Sequence, residues 1–283
     1  MALVHPLSRL NSLGRAERQR LRDGKGFHVT RLQPVLLALV VPALALLLWQ
    51  IGSQLRWIDP VILPSPAEVL RVLVRLAGNG DLVENLGISF TRVLLGFFYG
   101  VVTAVIVGTL TGFSRLGRAL FDPTVHALRT VPGLAWIPMF ILWFGIDEGS
   151  KIGLIALASF FPTYLNVMSG IMGVDRTLIE VGRVYGLTTR GQVLDVLLPA
   201  ALPSLVVGLR QSMGVAWLVV VAAELLGASS GIGYLLMDGE TTGRPQIVIA
   251  CMIIFALSGK TTDWLIIRAS RPLLRWRDTI EEG

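Results

Sequence analysis

Long apolar runs separated by short polar segments make up most of this chain after residue 33. A helix rises about 1.5 Å per residue, so about 20 apolar residues cross a hydrocarbon core of about 30 Å. Six runs are close to this length or longer, and they predict an all-α, polytopic membrane protein with six transmembrane helices. The predicted spans are residues 34–52, 92–113, 119–144, 152–172, 204–226 and 246–267.

The third run contains two prolines, Pro132 and Pro138, and Gly133 follows the first of them. Proline has no N–H for the helix ladder, and its ring clashes with the preceding turn. The pattern therefore predicts a kinked or broken helix. Such helices are tolerated at membrane depth where they line a cavity or pack inside the protein.

Small residues recur every four positions in the second run. A row of this kind lets two helix backbones approach closely in lipid. We interpret it as packing within the helix bundle, in preference to a contact that lines a pore. The row consists of Gly96, Gly100, Ala104, Gly108 and Gly112.

The polar segment between the first two runs carries the sequence ILPSPAEVL. Pro64 and Pro66 favour an extended turn, after which Ser65 or a neighbour starts an amphipathic helix that reaches about Leu76. This segment predicts a small structured loop on the side of the membrane opposite the chain termini.

Composition agrees with a membrane protein, because 53% of the 283 residues are hydrophobic, only 16% are charged and the mean hydropathy is +0.67. The formal net charge of +6 would favour a nucleic-acid partner in a soluble protein. Here the basic residues gather beside the apolar runs, where they set orientation. We therefore expect a lipid bilayer and no nucleic acid.

Lysine and arginine are distributed unevenly between the polar segments. The four segments on the side of both termini hold 16 of them, and the three on the opposite side hold 5. The positive-inside rule then places both termini in the cytoplasm. We predict a basic arm (1–33), a transmembrane domain (34–267) and a basic tail (268–283).

The chain offers little for catalysis or metal binding. Cys251 is the only cysteine, and the three histidines, His5, His28 and His126, are too scattered to indicate a metal site. The Gly-Lys-Thr triplet at 259–261 is like the end of a phosphate loop, but position 254 is isoleucine where the pattern requires glycine. We predict no catalytic residue, no metal site and no cofactor in this chain.

One polar stretch, residues 180–199, stands out because apolar runs flank it on both sides. Ile179, Val184 and Leu187 recur at helical spacing before it turns, which predicts a short amphipathic helix. Gly186 is the expected end of this helix, in a turn where the chain needs positive φ.

A second short helix is predicted in the same stretch. Thr189, followed three residues later by Gln192, fits a capping box that starts it, and Pro199 ends it. Two short helices joined by a glycine turn, lying outside the membrane, predict a docking surface.

This layout resembles the signature cytoplasmic loop of ABC-importer permeases, which runs Glu-Ala-Ala, three residues, Gly, nine residues, Ile, one residue, Leu-Pro. The chain departs from it at Gly182, where the family favours Ala. The resemblance implies that the loop, residues 174–202, docks a cytoplasmic ATPase. The implied docking residues are Glu180, Val181, Gly182, Arg183, Gly186, Val196, Leu198 and Pro199.

Further segments, among them WFGIDEGSKI and AELLGASSGIGYL, look like the permease subunits of nitrate, taurine and sulfonate importers, and the match covers about residues 34–275. The resemblance implies a type I ABC importer permease fold in a bacterial inner membrane. It implies two ATPase subunits that bind ATP and Mg, an extracytoplasmic solute-binding protein and a second copy of this chain. Aliphatic sulfonates are the first expectation for the solute, with taurine or nitrate as alternatives.

Four residues are candidates for the translocation path: Arg129, Pro132, Arg210 and Glu224. A charge in an apolar helix is costly, so it normally faces a partner or water. Arg129 equally fits a side chain that extends to the membrane interface, and Glu224 fits a hydrogen bond to a neighbouring helix. A secondary transporter would need inverted repeats and ion-coupling groups at mid-membrane, and an enzyme would need convergent catalytic groups. Neither pattern is visible.

Overall fold

A computed structural model describes residues 32–55, 57, 59, 62–225 and 227–274, with side chains of the first helix described from residue 40 onward. Every regular element in these ranges is a helix, which confirms the all-α class. Most of the predicted basic arm, and the tail from residue 275, lie outside the described residues. Among the described residues, the α-helices longer than one turn are α1 (Leu32–Gln54), α2 (Pro66–Gly78), α3 (Asp81–Phe113), α4 (Arg115–Thr130), α5 (Ile137–Phe144), α6 (Glu148–Met172), α7 (Arg176–Val184), α8 (Leu198–Leu225), α9 (Ile232–Thr241) and α10 (Pro245–Ser270).

The chain divides into two units, Met1–Trp57 and Ile58–Gly283. In the first unit, α1 covers the first predicted span, and its apolar stretch Val40–Gln54 is described in full. Val41 and Leu48 are exposed, as expected of side chains that face lipid. In the second unit, α3, α6 and α8 form the centre, and α9 and α10 pack beside them.

Helix α2 begins as the capping pattern predicts. The Ser65 hydroxyl accepts a hydrogen bond from the Glu68 N–H at 3.2 Å, and the Glu68 carboxylate accepts one from the Ser65 N–H at 3.0 Å. Pro66 occupies the first turn, where its missing N–H is no loss. Val69, Val72 and Leu76 are buried on this helix, which packs against α10.

Helix α3 is longer than predicted, because it begins at Asp81 whereas the apolar run begins near Arg92. Its first three turns carry polar side chains, of which Asn85 and Ser89 are buried against other parts of the fold. Apolar runs do not include such turns, because the partners of these polar side chains are distant in the sequence. Helix α6 likewise begins at Glu148, four residues before the predicted span that starts at residue 152.

The third predicted span is broken. Helix α4 ends at Thr130, a 3-10 turn follows at Gly133–Trp136, and α4 and the segment from Gly133 to Phe144 meet at 97°. Pro132 lies at the break, as predicted. Pro138 introduces no second kink, because it lies in the first turn of α5, where proline is tolerated.

Four helices in the described ranges are long and apolar enough to cross a membrane, or five if the broken pair is one span. The predicted number of six therefore stays a prediction. The row of small residues on α3 packs against α6: a side chain at Gly96 would collide with Ile155, and one at Gly112 with Ile171. Close packing within the bundle is thus what this row provides.

The predicted end of a helix at Pro199, with a new span from residue 204, is wrong. A short turn at Thr189–Gly191 leads into a π-helical turn, Gln192–Leu197, and this continues without a break into α8. The Leu198 N–H donates to the Val193 carbonyl, five residues back. The wider π turn directly before Pro199 is the local adjustment that lets the helix continue through a residue without an N–H.

Candidate functional site

A cluster of charged side chains joins α3, α6 and α8; Arg92 and Glu224 are buried in it, and Glu148 is 55% exposed. The side chain of Arg92 on α3 is 3% exposed, and that of Glu224 on α8 is 0% exposed. Arg92 Nη1 donates to Glu224 Oε1 at 2.8 Å, and its Nε and Nη2 donate to the two carboxylate oxygens of Glu148 on α6, each at 2.6 Å. Arg92 therefore links three helices through two ion pairs.

The remaining polar atoms of this Arg92 cluster also have partners. Ser89 donates its hydroxyl to Glu224 at 2.7 Å, and the Gly233 N–H donates to Glu224 Oε2 at 2.8 Å. Lys151 Nζ lies 3.3 Å from Glu148 Oε1. A buried charge is tolerated only when it is paired and hydrogen-bonded. The cluster meets this requirement, and Glu224 makes the hydrogen bond to a neighbouring helix that we considered from the sequence.

The loop between α8 and α9 is held against the Arg92 cluster. Its Ser230 carbonyl accepts a hydrogen bond from Arg92 Nη1 at 2.7 Å, and its Gly231 N–H donates to Asn85 Oδ1 at 2.7 Å. Gly231 has a φ of +114°, and a Cβ there would lie 2.6 Å from the Glu224 carboxyl carbon. Only glycine lets the loop backbone come this close to the buried carboxylate.

Arg210, a second candidate for the path, is paired with Asp263 on α10. Its Nε and Nη2 donate to the two carboxylate oxygens at 2.7 and 3.1 Å. The two side chains are 45% and 25% exposed, so this ion pair lies at the surface of the protomer. It connects α8 to α10 and lies apart from the Arg92 cluster.

Arg129, a third candidate, lies next to a hollow of about 430 Å³ at the break of the third span. Helix α6 and helix α8 supply the other walls, with Gln211 on α8 among the lining residues. Pro132 is exposed beside the hollow and sets the bend that opens it. Among the described residues, neither Arg210 nor Glu224 lines this hollow.

Helix α7, whose second half begins the predicted docking stretch, has one packed face and one exposed face. Ile179 and Gly182 on α7 face inward: Ile179 packs on the cluster of Val167 and Leu197, and Gly182 is buried. The outward face carries the charged side chains Glu180 and Arg183 together with apolar ones, and exposed apolar side chains are unusual on a polar loop. Its exposed hydrophobic side chains are Leu178, Val181, Val184 and Tyr185.

Both ends of α7 have defined caps. At the start, Asp175 Oδ1 accepts the Thr177 N–H at 2.8 Å, and this hydrogen bond lowers the pKa of the Asp175 carboxyl. At the end, the Leu187 N–H donates to the Gly182 carbonyl and the Gly186 N–H to the Arg183 carbonyl, which is a Schellman motif. Gly186 has the predicted positive φ, +75°.

The second cap in the stretch begins one residue earlier than we predicted. Thr188, and not Thr189, is the N-cap, and its hydroxyl accepts the Gly191 N–H at 3.2 Å. Gln192 is buried instead of returning to cap the turn. The sequence offers two adjacent threonines, so only the backbone path after Gly186 decides between them.

The residues predicted for docking fall into two groups. Glu180, Val181, Arg183 and Gly186 are exposed, whereas Gly182, Val196, Leu198 and Pro199 are buried or half-buried within the loop and at the start of α8. Within the second group, Gly182 packs closely on the turn that follows α7: a Cβ there would lie 3.3 Å from Leu187 and 3.6 Å from Val196. Their assignment to docking stays a prediction.

Sequence reasoning missed several residues that matter here. Arg92 was treated as the boundary of a span, although the rule applied to Glu224, that a charge beside an apolar run needs a partner, also applies to it. Glu148 fell outside the predicted spans, in the polar segment between residues 144 and 152. Trp136 and Gln211 carry no sequence signal for a shared hollow, because the chain positions that meet there are far apart.

The chain matches a family model described as the inner membrane component of binding-protein-dependent transport systems, over residues 100–271. It is 44% identical over 243 residues to a putative aliphatic sulfonates transport permease of Bacillus subtilis, covering 86% of this chain and 88% of the relative. It is 34% identical over 253 residues to the taurine transport permease of Escherichia coli, covering 87% and 92%.

Among solved structures, the chain resembles a subunit of the MetNI methionine ABC transporter in an inward-facing conformation. The TM-score is 0.54 at 20% identity, and the alignment covers 67% of this chain and 98% of that one. At this level of identity the likeness shows a shared fold.

Proposed function

Because this chain belongs to the family of inner-membrane components of binding-protein-dependent transport systems, the ABC importer permeases, we propose that it serves an importer of aliphatic sulfonates. The observation that carries this proposal is the 44% identity to the Bacillus subtilis sulfonate permease over 86% of this chain. The similarity to the taurine permease of Escherichia coli, at 34% identity, supports a solute that carries a sulfonate group. Because this identity is lower than 44%, taurine itself is the less favoured solute.

The proposed partner on the cytoplasmic side is an ABC ATPase that binds ATP and Mg. The apolar side chains exposed on α7 support this, since Val184 is 86% exposed and Tyr185 83% exposed. Apolar residues exposed on a short helix outside the bundle are typical of a protein interface. In this proposal the permease itself hydrolyses nothing.

The proposed assembly contains two copies of this chain, two ATPase subunits and an extracytoplasmic solute-binding protein. The chain has one docking loop, and an ATP sandwich requires two ATPase subunits, so a homodimer is the simplest arrangement. Closure of the ATPases on ATP would push α7 of each copy and open the path outward, and nucleotide release would reverse it. This is alternating access driven by differential binding of nucleotide to two states.

Reconstituted transport tests the proposal. Proteoliposomes with the chain, its ATPase and its binding protein should take up alkanesulfonates when ATP is supplied on the ATPase side, and omission of the ATPase should abolish uptake. Taurine, nitrate and a cationic amine serve as competitors. Preferred uptake of taurine or nitrate would reassign the solute within the family, uptake without the ATPase would support a secondary transporter, and uptake of the cation would refute an anion importer.

The proposed orientation has both termini and α7 in the cytoplasm. A Cys251→Ser background removes the one native thiol, and Arg190→Cys and Asp147→Cys then place single cysteines on opposite sides. A thiol reagent that cannot cross membranes should label position 147 and not position 190 in intact cells. Labelling of position 190 from outside would refute this orientation.

A further inference from the structure

The hollow at the break of the third span combines a polar end with apolar walls. Its polar lining residues are Arg129, Trp136 and Gln211. Most of the remaining walls are apolar side chains from α6 and α8, among them Leu157, Phe161 and Leu218. The hollow therefore has the character of an amphiphilic binding site.

Two of the polar groups have hydrogen-bond donors without partners. Trp136 Nε1 is buried, and its N–H donates to no acceptor among the described residues. No described side chain forms an ion pair or hydrogen bond with the Arg129 guanidinium either. The indole N–H and the guanidinium have donors only, so both groups favour an acceptor. A buried N–H without a partner is costly and calls for an explanation such as a ligand.

The orientation of Gln211 adds a third donor. Asn166 Nδ2 donates to the Pro162 carbonyl at 2.8 Å, so the Asn166 atom on that side is the nitrogen. The same Nδ2 donates to Gln211 at 3.0 Å, and the Gln211 atom that faces it must therefore be the acceptor, Oε1. The Gln211 Nε2 group then points away from Asn166 and is left to donate elsewhere.

The charge of the lining selects the sign of the ligand. Among the residues that line the hollow, none is acidic and Arg129 is the one charged residue. By contrast, a second polar hollow, between α2 and the α9–α10 turn, includes Glu68 beside its arginines. A third, at Leu82 and Phe90 near α10, has no charged side chain in its lining. A positive charge with several donors and no acceptor-only group favours a small anion.

We propose that this hollow is a binding station for the solute within the protomer, in which Arg129, Trp136 and Gln211 hold the anionic head and the α6 and α8 side chains contact an apolar tail. The proposal rests on the proposed function and goes further, because it assigns specificity for the tail to the permease as well as to the binding protein. Short alkanesulfonates fit both ends of the hollow, whereas nitrate would leave the apolar walls without contact.

Two conservative variants test the head site. Trp136→Phe removes the N–H and keeps the apolar ring, and Arg129→Gln removes the charge and keeps polarity. We expect each to lower ATP-dependent butanesulfonate uptake about tenfold, the usual size for a lost hydrogen bond to a charged group. Arg129→Lys should restore part of the loss. Trp143→Phe and Arg115→Gln are matched controls at exposed positions outside the hollow and should keep uptake near that of the unsubstituted protein.

Gly133 offers a test of the tail site. It lines the hollow, and a Cβ there would meet no other atom within 4 Å, so we expect the backbone to tolerate Gly133→Leu and the larger side chain to reduce the volume of the hollow. The variant should lower uptake of hexanesulfonate at least about fivefold more than that of methanesulfonate, since the longer tail needs the filled volume. For each solute, the ratio of variant to unsubstituted uptake removes the contribution of the binding protein.

The outcomes separate the two proposals. If the unsubstituted transporter moves no sulfonate, the proposed function fails and the station fails with it. If it moves sulfonates but Trp136→Phe and Arg129→Gln keep full uptake, the station alone is overturned. An equal loss for every tail length in Gly133→Leu, with normal membrane abundance and ATPase binding, also overturns it.

Discussion

The Arg92 cluster and the hollow beside Arg129 hold their arginines in opposite ways. Arg92 is 3% exposed and donates to Glu224, Glu148 and a loop carbonyl. Arg129 is exposed at the break of a helix, and no described side chain pairs with it. One arginine uses its donors within the fold, and the other keeps them free.

The presence or absence of partners distinguishes a structural charge from a charge that is available to a ligand, which residue type alone does not. From the sequence, Glu224 and Arg129 were candidates for the same path, because each puts a charge in or beside an apolar helix. The structure gives Glu224 a full set of partners and gives Arg129 an open volume. Paired charges hold helices and loops together, whereas unpaired donors in a hollow are available to a ligand.

The largest expected effect comes from breaking the closed region. Glu224→Ala removes one partner of a buried arginine, and we expect the free energy of unfolding to fall by about 3–5 kcal/mol. Thermal denaturation of the detergent-solubilised protein, followed by size-exclusion chromatography, measures it. Arg129→Gln, which alters the open region, should leave the melting temperature unchanged.

A double variant checks the reason for that effect. Glu224→Leu with Arg92→Met replaces both buried charges of the pair by apolar side chains, and it should be more stable than Glu224→Ala alone, because no charge of that pair stays buried without its partner. A Glu224→Ala protein as stable as the unsubstituted one would mean that the cluster does not hold α3 to α8.

The next effect concerns the open surface of α7. Gly186→Val places a β-branched residue at a φ of +75°, at a cost of about 1–3 kcal/mol. A Cβ at Gly186 would meet no other atom within 4 Å, so the damage is confined to the backbone of the turn. We expect normal membrane abundance and dimerisation but weak ATPase retention in co-purification, and little uptake.

Gly182→Ala is the matched control for this prediction. Its added methyl would lie 3.3 Å from Leu187 Cδ1, a flexible side chain that can move, and the change favours the helix. We expect Gly182→Ala to leave ATPase retention and uptake nearly unchanged. If Gly186→Val retains normal ATPase binding and uptake, the docking role proposed for α7 is wrong.

The smallest effect is expected at the ion pair Arg210–Asp263, which is paired like Arg92 but exposed like Arg129. It has the same kind of charge partner as Arg92 and a two-point contact, but the Arg210 side chain is 45% exposed. Arg210→Gln should lower the free energy of unfolding by about 1 kcal/mol or less, because solvent screens exposed pairs. The charge-swapped variant, Arg210→Asp with Asp263→Arg, should match the unsubstituted protein in thermal denaturation. A loss as large as that of Glu224→Ala would show that burial is not what separates these ion pairs.

Local signals in the sequence predicted several features well. The capping box at Ser65 and the positive φ at Gly186 depend on neighbours within a few residues, so the sequence contains all that they require. The break at Pro132 follows from the chemistry of proline alone. Where two local solutions were equally good, as at Thr188 and Thr189, the sequence could not choose.

The starts and ends of long helices were less predictable. Asp81 and Glu148 begin helices whose first turns are polar, and the partners that make those turns favourable lie on other helices. The passage through Pro199 depends on a π turn, which has no strong sequence signature. Apolar runs mark where a helix meets lipid, and they do not mark where it begins or ends.

By itself, the sequence determined the helical class, the membrane setting and the positive-φ turn at Gly186, because these follow from composition, periodicity and spacing within a short length of chain. Only the tertiary structure decided which charges are satisfied. Arg92 and Glu224 are 132 residues apart, and Arg129 and Gln211, which belong to different helices, line one hollow beside the break at Pro132. Whether a polar side chain stabilises the fold or is left free for a ligand depends on what other helices bring within about 3 Å of it, and no local pattern contains that information.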